Sequence, residues 1–303
     1  MEETKEIINY KSDDIGTKII KHLVISGGGV NGLTFYGVLR ESNKNKFWEL
    51  KNIKTIYATS VGSILGVLLS LNYEWEITDN YFIKRPWNEV FNFKLQNILN
   101  SFDNCGIFNV KVIEEILKPL LNGKDIPIYI TMKEFYDLTN IELHFFSTEL
   151  KSFEITDFSY KTHPEWKLID IVYCSCCLPI LFSPFLINDK IYVDGGVLYN
   201  NPLKYCILNN NNINTNEIFC INKNIIYKKI NIDINSTLFD YILFFIYKII
   251  DKITNINTPK IKNQINILTG SVSLYSIFLA STNKEERIKL IEMGSNFWND
   301  FEQ

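Results

Sequence analysis

The sequence predicts an α/β fold, and three observations predict it. Short, continuously apolar runs such as His22-Leu23-Val24-Ile25 have the character of strands buried on both faces. Each such run stops at glycine or other small residues, as at Gly27-Gly28-Gly29 and at Ala58-Thr59-Ser60. A helical stripe then follows, with Leu33, Tyr36, Val38 and Leu39 after the first run and Ile64, Leu65, Val67, Leu68 and Leu69 after the second. The chain has 303 residues, 46% of them hydrophobic, enough for a sizeable core. It shows no internal repeat and no linker, so one domain over 21–303 is the economical organisation.

Residues 1–20 are polar and aperiodic and read as a loose arm. Glu2, Glu3, Lys5 and Glu6 have no apolar stretch behind them, so this is not a secretory signal. The first strand then runs into Gly27-Gly28-Gly29-Val30-Asn31-Gly32. This loop satisfies G-x-G-x-x-G, the dinucleotide fingerprint, which also asks for an acidic residue at the end of the next strand. That strand ends instead in Ala58-Thr59-Ser60, and the other use of bare glycines is to present backbone N–H groups to an oxyanion. Ser60 lies at a strand-to-helix bend with Gly62 after it. It either caps the helix or exposes its hydroxyl at the helix N-terminus, where the dipole favours negative charge.

Trp75 to Asn122 alternates helical segments, and Thr131 with Glu134 fits a capping box. Ile141–Ser147 and Ser152–Thr156 flank a hairpin turn, with Leu143, Phe145 and Phe153 expected to face the core and His144 expected to be structural. Leu168 to Cys177 is a small-residue helix that Pro179 ends. Ile191-Tyr192-Val193 is a strand entering Asp194-Gly195-Gly196, which is either a plain turn or a carboxylate at the strand end where open α/β sheets collect their chemistry. Asn209–Asn216 reads as a surface loop and Ile218–Ile221 as a strand. Leu238–Ile250 reads as a core helix, with an interfacial membrane helix as the alternative. Lys284 to Met293 is amphipathic and helical, and the whole of 235–303 is expected to be helical.

Composition excludes several functions. A net charge of −3 leaves no electrostatic footprint for nucleic acid. The six cysteines (Cys105, Cys174, Cys176, Cys177, Cys206, Cys220) form no C-x-x-C pair, and His22, His144 and His163 are distant from them, so no metal site is expected. An intracellular, reducing setting follows.

Taken in order, the glycine loop, Ala58-Thr59-Ser60-Val61-Gly62 and Asp194-Gly195-Gly196 resemble the patatin-like phospholipase family. Cys174 to Phe182, with Pro179, and Asn200-Asn201-Pro202 are similar to it as well, so the likeness covers about residues 21–207. The resemblance implies a three-layer sandwich with a mainly parallel central sheet flanked by helices. It implies a serine–aspartate dyad of Ser60 and Asp194, an oxyanion loop over Gly27, Gly28, Gly29, Val30, Asn31 and Gly32, and supporting roles for Ala58, Gly62, Gly195 and Gly196. It also implies hydrolysis of lipid acyl esters, of phospholipase A type, without cofactor or metal, by a cytosolic protein in transient contact with membrane or micellar lipid. The residues agree: no histidine follows His163, so an α/β-hydrolase triad in its usual order cannot be built, and Asp194 is left as the base. Two departures stand out, Ala58 in place of the first glycine of the serine turn and Asn31 where many members carry arginine or lysine. Two alternatives follow from these readings: a catalytically silent lipid-binding scaffold, from Ala58, and a dinucleotide-binding oxidoreductase, from the glycine loop.

Overall fold

The computed structural model describes residues 19–210, 213–225, 236–254, 259–270 and 273–302. Most of the expected N-terminal arm lies outside them, but Ile20 is buried in the core, so the fold begins slightly before the predicted boundary.

The chain opens with β1 (His22–Ile25), α1 (Gly32–Lys44), β2 (Thr55–Thr59) and α2 (Val61–Ser70). A helical stretch follows, α3 (Trp75–Lys84), α4 (Trp87–Val90) and α5 (Leu95–Asn104), then the short β3 (Gly106–Phe108) and α6 (Val110–Asn122). The helix α7 (Met132–Thr139) starts with the predicted Thr131/Glu134 capping box. After it come β4 (Glu142–Glu149), β5 (Glu154–Phe158), α8 (Leu168–Cys176), β6 (Ile180–Phe182), β7 (Phe185–Ile187) and β8 (Lys190–Asp194). The remainder is α9 (Leu203–Asn209), β9 (Ile218–Ile225), α10 (Leu238–Thr254), β10 (Gln264–Thr269), α11 (Leu274–Thr282) and α12 (Lys284–Glu302).

The central sheet is mainly parallel: β10, β9, β1, β2 and β4 pair in that order, all in one direction. The strand alternation splits the core. Leu23 and Ile25 face a large cluster that includes Phe35, Leu39, Leu65 and Ile171, whereas Val24 faces a smaller one closed by Leu203 and Cys206 of α9. The sandwich is therefore lopsided, with most helices on one face and α9 on the other. The predicted C-terminal helix crosses α1 at glycine on glycine: a Cβ on Gly294 would lie 2.0 Å from the Thr34 carbonyl oxygen and 2.9 Å from Gly37 Cα. Only the absence of side chains lets these two backbones touch.

Two expectations need correction. Phe153 does not face the core. It occupies the hairpin turn at φ 54°, half exposed, and Phe158 of β5 takes the buried place beside Phe145. The region 235–303 is not wholly helical, because Ile265 and Ile267 alternate with outward residues and β10 extends the sheet beyond β9. Helix α10 itself divides its apolar residues. Leu243 and Ile250 are buried, while Leu238, Tyr241, Phe245 and Ile249 are exposed, so it is a core helix on one side only.

The edges of β4 position the site. β4 pairs with β2 over Glu142–Phe146, with β5 over Phe145–Glu149 and with β8 over Ser147–Glu149. A strand has two edges, and β5 overlaps both of the others, so β2 and β8 must share the edge that β5 leaves. Running in opposite directions, they meet head-on: Thr59 pairs with Phe146 and Asp194 with the next residue, Ser147. Asp194 thus reaches the carboxyl ends of the parallel strands from an antiparallel strand, not as the end of another parallel one.

Candidate active site

Ser60 sits between β2 and α2 with φ 55° and ψ −130°, a conformation costly for a residue with a side chain. As the residue preceding α2 it could cap the helix, yet its side chain makes no capping bond. The turn is closed by others: Ser63 donates its amide (2.8 Å) and its hydroxyl (2.6 Å) to the Ser60 carbonyl. The Ser60 amide donates to Ser175 Oγ at 2.9 Å. The Ser60 hydroxyl faces the Asp194 carboxylate and favours its ionised form. Gly62 permits the sharp bend, since a Cβ there would stand 2.5 Å from the Ile25 carbonyl oxygen. Ala58 is fully buried, its methyl seated in the core on the strand that ends at the serine.

Asp194 is 3% exposed, and its Oδ1 accepts the Gly196 amide at 2.7 Å. Burial pushes its carboxyl up to about 6; the Ser60 hydroxyl, the Gly196 amide and the charge of Lys223 pull the other way. The C-terminal end of α8 braces both halves of the pair. Ser175 holds the Ser60 amide, and two residues on, the Cys177 carbonyl accepts the Asp194 amide at 3.0 Å. The small-residue character of this helix was visible in the sequence, but its bracing of both sides was not.

The glycine loop divides into donors and supports. The Gly27 amide donates to the Asn200 carbonyl at 3.1 Å, and Asn200 Nδ2 donates back to the Gly27 carbonyl at 3.1 Å. Asn31 gives both its amide (3.2 Å) and its Nδ2 (3.1 Å) to the Gly28 carbonyl, and the Gly32 amide bonds to the Gly29 and Val30 carbonyls. Gly27, Asn31 and Gly32 therefore shape the loop. Gly28, Gly29 and Val30 stand at the start of a helical turn, where amides have no intrahelical acceptor. Gly29, at φ 55°, is exposed.

Ser60, Asp194, Gly27, Gly28, Gly29, Val30, Gly32 and Gly196 all line one cavity of about 720 Å³. Asn31, turned inward by its own hydrogen bonds, does not, and Gly195 packs against the Phe146 carbonyl instead. The cavity also holds Lys223, which sequence reasoning missed. A charged residue just past Ile218–Ile221 is the signal that could have found it, because it falls at the carboxyl end of a parallel strand. Lys223 is 9% exposed, and burial lowers its ammonium to about 8 against the attraction of Asp194. His144, by contrast, is structural: it stacks on Tyr57 at 4.2 Å and lies between Asp157 (2.9 Å) and Glu142 (3.0 Å). Burial would depress its imidazole, but those two carboxylates outweigh burial and raise it.

Comparison with known proteins accords with this geometry. The family described as patatin-like phospholipase matches residues 23–207. The chain is 28% identical over 209 residues to a protein named probable lipid hydrolase 463L of Invertebrate iridescent virus 6, covering 68% of this chain and 70% of that one. It is 26% identical over 195 residues to an uncharacterized protein of Acanthamoeba polyphaga mimivirus, covering 64% of each. Among solved structures, VipD from Legionella pneumophila shares the fold, with a TM-score of 0.52 at 15% identity over 90% of this chain and 67% of that one.

Proposed function

The chain belongs to the patatin-like phospholipase family, and from that premise we propose that it is a lipid acyl hydrolase of phospholipase A type, with Ser60 as nucleophile and Asp194 as general base. The observation that carries this reading is the Ser60 hydroxyl: at a helix N-terminus it forgoes capping and faces a buried carboxylate that lines the same cavity.

Asp194 takes the hydroxyl proton as Ser60 Oγ attacks the ester carbonyl carbon. The carbonyl oxygen becomes an oxyanion over the Gly28 and Gly29 amides, with Val30 beside them. Loss of one such donor commonly costs ~3 kcal/mol of barrier. Collapse expels the alcohol, which recovers the proton from Asp194 and leaves an acyl ester on Ser60. Water, deprotonated by the same carboxylate, then releases the fatty acid and restores the hydroxyl. With a carboxyl near pH 6, Asp194 is ionised at neutral pH yet more basic than an ordinary aspartate, which suits the task.

The exposed apolar residues of α10 support peripheral contact with lipid, since Ile250 of the same helix lines the cavity. Among the described residues no helix is long and apolar enough to cross a membrane. All six cysteines are free thiols, which supports a reducing, cytosolic location with transient membrane association.

A fluorophosphonate should label Ser60, and the protein should release fatty acid from phospholipid in mixed micelles. A wild-type protein that is neither labelled nor active on phospholipid or neutral acylglycerol would end this reading.

A further inference from the structure

Arg287 lines the cavity, and the reaction as described does not use it. It is 6% exposed, and among the described residues no carboxylate acts on its charge. Its acceptors are carbonyls in the last turns of two helices: Nη1 donates to Ala280 (2.8 Å) and Ser281 (3.3 Å) of α11, and Nη2 donates to Ile83 of α3 at 2.7 Å. These carbonyls fix the plane of the guanidinium and offer it partial charge only. The buried Nε meets no partner among the described residues. Nε and Nη2 share the edge with which a guanidinium grips two phosphate oxygens in parallel, and on that edge Ile83 alone is engaged. A buried charged donor left unpaired is costly, and a bound anion would remove the cost.

The register of two helices places Arg287 at the catalytic end of the cavity. α12 runs along α1 in the same direction: Gly294 touches Thr34 and Gly37, Arg40 Nη2 donates to Ser295 Oγ at 3.2 Å, and Asn45 Nδ2 donates to Glu302 Oε2 at 3.1 Å. Arg287 precedes Gly294 by about two turns, which brings it level with the glycine turn that enters α1. α11, whose carbonyls hold the guanidinium, packs against that same turn, Gly29–Asn31. The loop has no cation of its own, since Gly27 to Gly32 holds only glycine, valine and asparagine. A second buried cation of the cavity, Lys223, faces the carboxylate of Asp194. Arg287 is thus the buried charge beside the loop that no acid answers.

In a glycerophospholipid the phosphate shares one glycerol backbone with the scissile esters. An ester carbonyl over the loop amides therefore brings the phosphate close to the loop, not to the far end of the acyl chain. We propose that Arg287 is the phosphate anchor of the site: its Nε/Nη2 edge receives the phosphodiester of a phospholipid whose ester lies over Ser60. The acyl chain follows Ile64, Leu65 and Ile113 into the apolar part of the cavity. This rests on the reading of Ser60 and Asp194 as the ester-cleaving pair.

The test removes the charge from each side in turn. kcat/KM is measured for dioleoylphosphatidylmethanol and for its O-methylated triester in the same nonionic micelles, two lipids that differ by a methyl group and a negative charge. The wild type should favour the diester roughly tenfold to a hundredfold, mainly through KM. In Arg287→Gln the two rates should come within about threefold of each other, by loss of the diester's advantage. Arg287→Lys keeps the charge without the fork and should fall between them. Because the guanidinium also ties α3 to α11, both variants are first checked for fluorophosphonate labelling of Ser60. The wild-type comparison needs no substitution, and equal rates there would overturn the anchor. So would a diester preference that survives in Arg287→Gln, which would leave Arg287 as a cap for the two helices. Inorganic phosphate should not slow the wild type on dioleoylglycerol; inhibition that Arg287→Gln relieves would assign the site to free phosphate and overturn the lipid reading. A wild type idle on all three lipids and unlabelled at Ser60 would bring down the underlying dyad instead.

Discussion

Ser60 and Asp194 end two strands that meet on one edge of β4, yet the chain holds them there by different means. The serine is fixed locally. Its backbone is bent at φ 55° between adjacent elements, Ser63 closes the turn from three residues away, and Gly62 lets the bend press on β1. The aspartate is fixed by distant partners, through the pairing of β8 with β4 and an amide bond to Cys177 at the end of α8. Strain is stored at the first residue and desolvation at the second. The comparison teaches that the nucleophile's position is a property of one short segment, whereas the base's position is a property of the assembled fold.

The sharpest way to break the comparison is Asp194→Asn, which keeps the shape and removes the base. A loss of roughly 10²- to 10⁴-fold in kcat is expected. The pH profile of the wild type should agree: kcat/KM rises with a slope of about one up to pH 6 and levels above it, because the carboxylate must be ionised and its proton leaves at about 6. The sign for stability is the reverse. A carboxyl raised above its unfolded value of 3.8 binds its proton more tightly in the folded state, so its contribution is present below that value and is lost as pH rises through about 6. At pH 8 the wild type bears a buried ionised aspartate, and Asp194→Asn should be more stable by about 1–3 kcal/mol in urea unfolding. A variant less stable than wild type at pH 8 would mean that the carboxylate's partners outweigh its desolvation.

The next effect belongs to the serine side. Gly62→Ala would place a methyl 2.5 Å from the Ile25 carbonyl oxygen and 3.0 Å from that of Ser26, both backbone atoms that cannot rotate away. About 2–4 kcal/mol of destabilisation is expected, with fluorophosphonate labelling lost in proportion to the displaced turn. Gly270→Ala, where a Cβ meets nothing within 4 Å, is the control and should shift stability far less. Equal effects at the two glycines would show that the close approach at Gly62 does not constrain the fold.

The same division explains what was legible in the sequence. The strands around Leu23-Val24-Ile25 and Ile56-Tyr57-Ala58, the glycine loop and the serine bend are local patterns, and each forms where its residues predicted. The antiparallel direction of β8 was not legible, because an apolar triplet carries no sign of its direction and only the pairing with Ser147–Glu149 reveals it. Phe153 escapes the strand alternation because it lies in a turn, where a positive φ reverses the side chain's side. Strand β10 was lost because its outward residues, Asn266 and Leu268, give no uniform polar face. Lys223 is not legible either, since one lysine after an apolar run reads as an ordinary strand end, and its burial depends on neighbours far along the chain.

The smallest effect concerns Ala58, where the family's serine turn begins with glycine. Its methyl is fully buried in the main core, and Ala58 pairs with Ile25 on one side and Phe145 on the other, in regular strand geometry up to Thr59. The bend starts only at Ser60, so the methyl adds packing without opposing the turn. Ala58→Gly should therefore lower stability by roughly 1 kcal/mol, through lost contacts and a freer unfolded chain, and leave kcat/KM within about twofold. A tenfold gain in labelling rate or turnover would show instead that the alanine strains the bend. The local self-sufficiency assigned to the serine side would then fail, because a residue two positions before Ser60 would be setting its geometry.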